Sequence, residues 1–475
     1  MQKKSGLFEV TAWYGIGNLF VRLVGFILLP LYSNLIPVEQ FGIYSLMMST
    51  YAIAGVFYQF GMSASLTNFY LKENDEFRRK IIFSTVINSV IVLGLILSVI
   101  AFIISPFLTQ KILGSNEYIS LFVLLIIIIF VETISNYILQ LFKAQELSKK
   151  VVIYLFVGAM INLFLNIWFV YGLRMGIKGI IFAHLFTSII VFIFLLPLVK
   201  GTYTFSIDKK ILTSAVIFSL PLFISGIFSS GMDVADRFIL DHFFGKKEVG
   251  EYSFAYRLAM ITNIFVISFR AAWMPYALNK YKEGNYRENF GKILIKVLSI
   301  GVFILLTVSF FADDLFNIKL LGKNLFNPIY ETGLIILPYV VIGYIFNSLA
   351  SFYSLYPFTV NKSYHFLISD GLGIISNLAL NFILIPSYSL LGAGIATSIS
   401  FIIAAGYLYI ISKDKIGIVY PKKEIIIICF AGMLSLVIGM IYNYLLIQVF
   451  LVILFLALLI FVIKLKPASL LKVLQ

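Results

Sequence analysis

The sequence predicts an all-α polytopic membrane protein of about 14 transmembrane helices, and three observations predict it. Hydrophobic residues make up 61% of the 475 residues and charged residues 12%. Soluble domains carry roughly 45–50% and 25% respectively. The apolar residues fall in long runs broken by short polar clusters, as in Ile126-Ile127-Ile128-Ile129. Membrane barrels alternate instead, so these runs are helices, which satisfy their own backbone inside hydrocarbon. So few charges could not cover a soluble body of this size. The longest loop, 312–327, has about sixteen residues, which excludes a large extramembrane catalytic or binding domain.

At roughly 20 residues per span, the runs lie at 11–36, 42–71, 81–107, 118–142, 151–172, 176–199, 211–241, 249–278, 290–311, 328–359, 364–386, 389–411, 424–443 and 447–463. The first follows Lys3 and Lys4. It is too long for a signal-peptide core and reads as a retained helix.

The net charge is +14. In a soluble protein that would suggest nucleic acid. Here it is mostly topology. With the N-terminus in the cytoplasm, 24 Lys and Arg fall on inner segments and seven on outer ones. That is the positive-inside bias of short loops, and it places both termini in the cytoplasm. No nucleic-acid partner is expected. The single cysteine, Cys429, excludes an intramolecular disulfide. His184, His242 and His365 lack metal-ligand spacing, so neither a metal nor a cofactor is expected.

The chain repeats itself. Asn162-Leu-Phe-Leu-Asn166 matches Asn377-Leu-Ala-Leu-Asn381, an offset of 215. Each is followed by a short turn, a glycine (Gly179, Gly392) and another helix. Pro37-Val-Glu-Gln-Phe-Gly42 matches Lys246-Lys-Glu-Val-Gly250 less closely, at an offset of 208. Spans 1–6 and 7–12 are therefore read as two copies of a six-helix unit. An even span count makes the copies parallel, related by a pseudo-two-fold axis along the membrane normal. The expected organisation is an N-lobe (1–200), a C-lobe (201–412) and a terminal helix pair (413–475).

These residues also resemble a family. Pro37-Val-Glu-Gln-Phe-Gly-Ile-Tyr-Ser-Leu46 is similar to the first-loop motif of the polysaccharide flippases. Asp236-Arg237 with Val249-Gly250-Glu-Tyr252 resembles their seventh-helix signature. Asn377 to Asn381, Ile385-Pro386 and Gly392-Ala393-Gly394-Ile-Ala396-Thr397 resemble their eleventh-to-twelfth-helix motif. One departure is Tyr171-Gly-Leu-Arg-Met, which lacks the usual proline. The family is the Wzx-like, O-antigen and polysaccharide branch of the multidrug/oligosaccharidyl-lipid/polysaccharide exporters. The resemblance implies a MATE-like two-lobed bundle in a bacterial or archaeal cytoplasmic membrane. It implies a flippase that moves an undecaprenyl-diphosphate-linked oligosaccharide to the outer leaflet by alternating access. Membrane lipids and glycan-assembly machinery, a polymerase and glycosyltransferases, are the further partners it implies.

Charges inside spans are costly and mark candidate sites. A diphosphate carries about two negative charges and needs fixed cations to cross hydrocarbon. Guanidinium suits phosphate because it binds in bidentate fashion and stays charged. Arg22, Arg257 and Arg270 are the candidates for substrate binding. Arg257 and Arg270 stand about 220° apart around one helix, so both face one narrow cavity only if span 8 bends. Tyr14, Tyr58 and Tyr256 are candidates for stacking on sugars. Asp233, Arg237 and Asp241 are spaced as an acid–base–acid stripe on span 7, with Asp236 one face over. They read either as a structural ladder or as ion-coupling residues, with Asp233 the deepest. Glu132 and Asp370 are lone acids, each a candidate partner for an arginine.

Two other functions remain open. A MATE-type multidrug or cation antiporter wants an acidic cavity, and Arg22 in span 1 argues against it. A membrane-embedded glycan polymerase or transferase needs carboxylates near a water-exposed loop, and the loop with Asp313-Asp314 is short. The protein is read as a transporter rather than an enzyme.

Overall fold

A computed structural model describes residue 17 and residues 20–463, apart from 285, 321, 361, 363 and 443. Tyr14 lies outside the described residues. Among these, ten helices are long and apolar enough to cross a membrane. They are Val38–Lys72 (α2), Glu76–Leu113 (α3), Asn116–Ala144 (α4), Lys149–Gly172 (α5), Gly176–Val199 (α6), Lys209–Phe244 (α7), Arg287–Phe311 (α9), Pro328–Thr359 (α10), Tyr364–Ile416 and Lys422–Ile441 (α13). The Tyr364–Ile416 stretch breaks at Ser389, where φ is 48°. It comprises two helices, 364–388 (α11) and 390–416 (α12). Lys246–Ala259 and Ile261–Glu283 form one span bent by 44° (α8). Two shorter apolar helices, Phe20–Leu35 (α1) and Leu445–Ile460 (α14), complete the set. The protein is an all-α, multi-pass membrane protein, and each expected span has its helix.

Local chemistry sets the helix ends. Asp75 caps α3 by accepting from the Phe77 amide at 3.1 Å. Asp208 caps α7 by accepting from Lys210 and Ile211 at 2.8 and 3.1 Å. Each carboxylate satisfies amides that have no partner within the helix. Gly114 and Gly284 end α3 and α8 in the left-handed region, at φ 76° and 81°, a conformation that favours glycine.

The chain divides into two compact units, 1–250 and 251–475. In the first, α3 and α6 pack on α4, and α7 packs on α2 and α3. Its core includes Phe83, Val86, Tyr137, Leu141 and Val151, all at most 1% exposed. In the second, α10 packs on α9 and on α11–α12, and α13 and α14 pack on α9. Phe310, Ile428 and Phe455 form part of its core.

The matched repeat residues do the same work in each copy. Asn166 donates to Asn162 Oδ1 at 3.0 Å, and Asn381 donates to Asn377 Oδ1 at 2.9 Å. A Cβ on Gly179 would stand 3.1 Å from the Phe169 carbonyl oxygen, and one on Gly392 would stand 2.5 Å from that of Leu384. Both glycines let a tight helical hairpin close, between α5 and α6 and between α11 and α12. The copies differ in their surroundings. The Tyr32 hydroxyl donates to Asn166 Oδ1 at 2.7 Å, a contact that the Asn381 amide oxygen does not have among the described residues.

Candidate functional site

The first unit contains a cavity of about 300 Å³ between α2, α4 and α7. Helical spacing builds its walls. Tyr51, Gly55 and Gln59 recur every four residues on α2, and Glu132 and Asn136 do so on α4. Residues four apart share one helix face. From α7 come Leu222, Phe223 and Gly226. Gln59 and Asn136 are exposed. On a spanning helix, polar amides placed this way serve a cavity rather than lipid.

Glu132 is the centre of the site. Its Oε1 accepts from Ser188 Oγ at 2.7 Å and lies 2.8 Å from His184 Nε2. Its Oε2 accepts from the Tyr51 hydroxyl. The lone acid is therefore held by a histidine, a tyrosine and a serine, not by an arginine. It is the charged residue among those lining the cavity. The sequence reading missed Tyr51, His184 and Ser188. The signal was present in the spacing of His184 and Ser188, which are four apart on α6.

The span-7 charges make the following contacts. Arg237 donates from Nη1 to Asp236 Oδ1 at 3.1 Å and to the Asp233 carbonyl oxygen at 2.6 Å. Asp241 is taken by Lys246, whose ammonium also donates to the Ile112 carbonyl at 2.8 Å. Asp236 is completely buried, whereas Asp233 is exposed. The acid of the helix that packing buries is thus Asp236. A one-residue offset moves a side chain 100° around a helix, and packing of α7 decides which offset faces inward.

In the second unit, the 44° bend of α8 falls at Met260, between Arg257 and Arg270. Arg257 is half-buried. Arg270 donates to Ser351 Oγ and Asn347 Oδ1 on α10, each at 3.0 Å. Arg22 on α1 and Asp370 on α11 are half-buried.

Both described tyrosine candidates are buried. Tyr58 is 4% exposed and shares a 3.0 Å hydrogen bond with Ser98 on α3. Tyr256 is 3% exposed and packs against the rings of Tyr252 and Tyr344. A second cavity, of about 340 Å³, is lined by Asp313, Glu331 and Gln448. Burial, followed by the charges of Glu331 and Asp314, pushes the Asp313 carboxyl up. Among the described residues no three His, Cys, Asp or Glu side chains gather as a metal site.

Residues 7–279, more than half of the chain, match the family described as polysaccharide biosynthesis protein. The chain belongs to that family. A second family, MatE, matches residues 221–383. This polysaccharide biosynthesis protein is 29% identical over 198 residues to the capsular polysaccharide biosynthesis protein CapF of Staphylococcus aureus, covering 41% of this chain. The chain spans about half (48%) of that relative's length. Its fold is that of the lipid II flippase MurJ in an inward closed conformation. The TM-score is 0.75 at 19% identity, over 94% of this chain and 98% of that one. An inward-facing multidrug resistance MATE transporter of the MOP superfamily matches with a TM-score of 0.70 at 14% identity, over 83% and 94% of the two chains. The family member described here therefore has the multi-pass helical fold of those two structures.

Proposed function

We propose that the protein moves a polyprenyl-diphosphate-linked oligosaccharide from the cytoplasmic to the outer leaflet of the cell membrane by alternating access. The observation that carries the proposal is the presence of Arg22, Arg257 and Arg270 on helices α1 and α8 of a polysaccharide-biosynthesis family member. An arginine on a spanning helix is costly unless it serves a cargo or a partner. A diphosphate is the anion in a lipid-linked glycan that repays the cost, because guanidinium meets it through paired hydrogen bonds. Lys and Arg on the expected inner loops orient the helices, with both termini in the cytoplasm. Asp233, Asp236, Arg237, Asp241 and Asp370 are assigned to reorganisation or ion coupling between states.

The antiporter reading has one observation in its favour. The cavity of the first unit is lined by a carboxylate, Glu132, and a carboxylate attracts a cation. Leaflet-resolved transport in proteoliposomes separates the two readings. A flippase exposes a fluorescent polyprenyl-diphosphate glycan to a membrane-impermeant quencher or lectin. An antiporter moves a cationic dye against an ion gradient and leaves the lipid where it was.

A further inference from the structure

We propose that the cavity of the first unit is a sugar site, taking one neutral or amino-bearing ring of the cargo. This rests on the flippase reading and specifies which part of the cargo goes there. The chemistry of the walls excludes the diphosphate. The lining contains the Glu132 carboxylate and, among the described residues, no lysine or arginine. Two like charges at contact distance repel by several kcal/mol outside bulk water. The glycan is the other polar part of such a cargo.

The walls carry what a sugar ring needs. Glu132 has about four acceptor positions, and Tyr51, His184 and Ser188 use three. One remains for a hydroxyl or an amine N–H. Gln59 and Asn136 each offer a donor and an acceptor, suited to hydroxyls that do both. Phe223 supplies an apolar face for the ring's C–H groups. It is fixed in place by a stacked contact with Phe60, centroids 4.5 Å apart, and an edge contact with Phe57 at 5.4 Å. Gly55 has no atom within 4 Å of where its Cβ would stand, so this wall is open. The volume, about 300 Å³, is at the lower end for small-molecule sites. It has room for one ring and not for a chain. The Glu132 carboxylate is fixed by its three donors before any ligand arrives, so binding does not cost the entropy of ordering it.

The test uses the full-length protein and two measurements. The first is thermal stabilisation of the detergent-purified protein by the methyl glycosides of a hexose and an N-acetylhexosamine. The second is flipping, in proteoliposomes, of polyprenyl diphosphate bearing one of those sugars and of the same lipid without a sugar. Asn136→Ala and Glu132→Gln are compared with the wild type. Asn136 is exposed, so its variant does not depend on refolding a core. The expected result is that a glycoside raises the wild-type melting temperature and does not raise that of either variant. The preference for sugar-bearing over sugar-free lipid should fall about tenfold, the size of one lost hydrogen bond. The proposal is overturned if no glycoside stabilises the wild type. It is also overturned if both variants slow the two lipids equally, or if their defect tracks a proton gradient whatever the cargo. If the wild type flips none of the lipids, the flippase reading fails. The glycoside measurement then still decides whether the cavity binds a sugar.

Discussion

Gly42 and Lys246 approach so closely that no side chain fits between them: a Cβ on Gly42 would run into the Lys246 carbonyl oxygen. Gly250 meets the Val38 carbonyl oxygen in the same way. Val38 and Lys246, like Gly42 and Gly250, are repeat partners 208 residues apart. The contact is therefore reciprocal, each glycine resting on the repeat partner of the residue that the other meets, as in an isologous interface. Gly42→Ala is expected to cost about 1–3 kcal/mol through overpacking. Gly250→Ala should cost a similar amount, and the double variant less than the sum because one displacement relieves both. Unfolding of the purified protein in detergent measures all three. Full additivity would show that the two contacts are independent.

Asp236 is completely buried and holds the Arg237 guanidinium. Removing one partner of a buried pair leaves the other charge poorly compensated, which typically costs about 3–5 kcal/mol. Asp236→Ala should therefore lower stability sharply, whereas Asp233→Ala, at an exposed position, should change it little. The comparison is a pair of thermal unfolding curves. Equal losses would contradict the burial difference.

Asp313 carries a raised folded-state pKa from burial and from Glu331 and Asp314. An acid that is harder to ionise folded than unfolded destabilises the fold once pH exceeds its unfolded value. The loss grows as pH rises toward the folded pKa and is constant beyond it. Asp313→Asn should therefore raise the melting temperature at neutral pH and have no effect near pH 3. A melting-temperature difference that widens toward acid would reverse the sign.

Arg22 separates charge from geometry. Arg22→Ala should reduce flipping of a polyprenyl-diphosphate glycan about a hundredfold, and Arg22→Lys by less, because an ammonium keeps the charge but loses the bidentate fork. The factor corresponds to roughly 2–3 kcal/mol, the strength of a charge-assisted hydrogen bond. Initial rates in proteoliposomes read it, and wild-type rates in Arg22→Ala would remove Arg22 from the cargo path.

Much of the fold was legible because a bilayer demands it. Backbone inside hydrocarbon must be helical, so run length alone located α1 to α14. The Gly179 and Gly392 hairpins were visible because glycine is the residue that tolerates those contacts. The site was less legible. Glu132 stood out as a charge in a span, but its partners come from α2 and α6, about 50 to 80 residues away. Sequence distance contains nothing about which helices meet. Tyr58 and Tyr256 were chosen as candidates from the spans they occupy, and packing turned both toward the helix core.

The sequence by itself determined the helical class, the number of spans, the internal repeat and the family, because each is written in local composition or in direct self-similarity. Tertiary structure alone decided that Asp236 and not Asp233 is the buried acid of α7. It also decided that Glu132 is held by Tyr51, His184 and Ser188, and that the cavity of the first unit carries a carboxylate. The physical reason is the same in each case. Periodicity specifies which residues share a helix face, and only the packing of helices against one another specifies what that face meets.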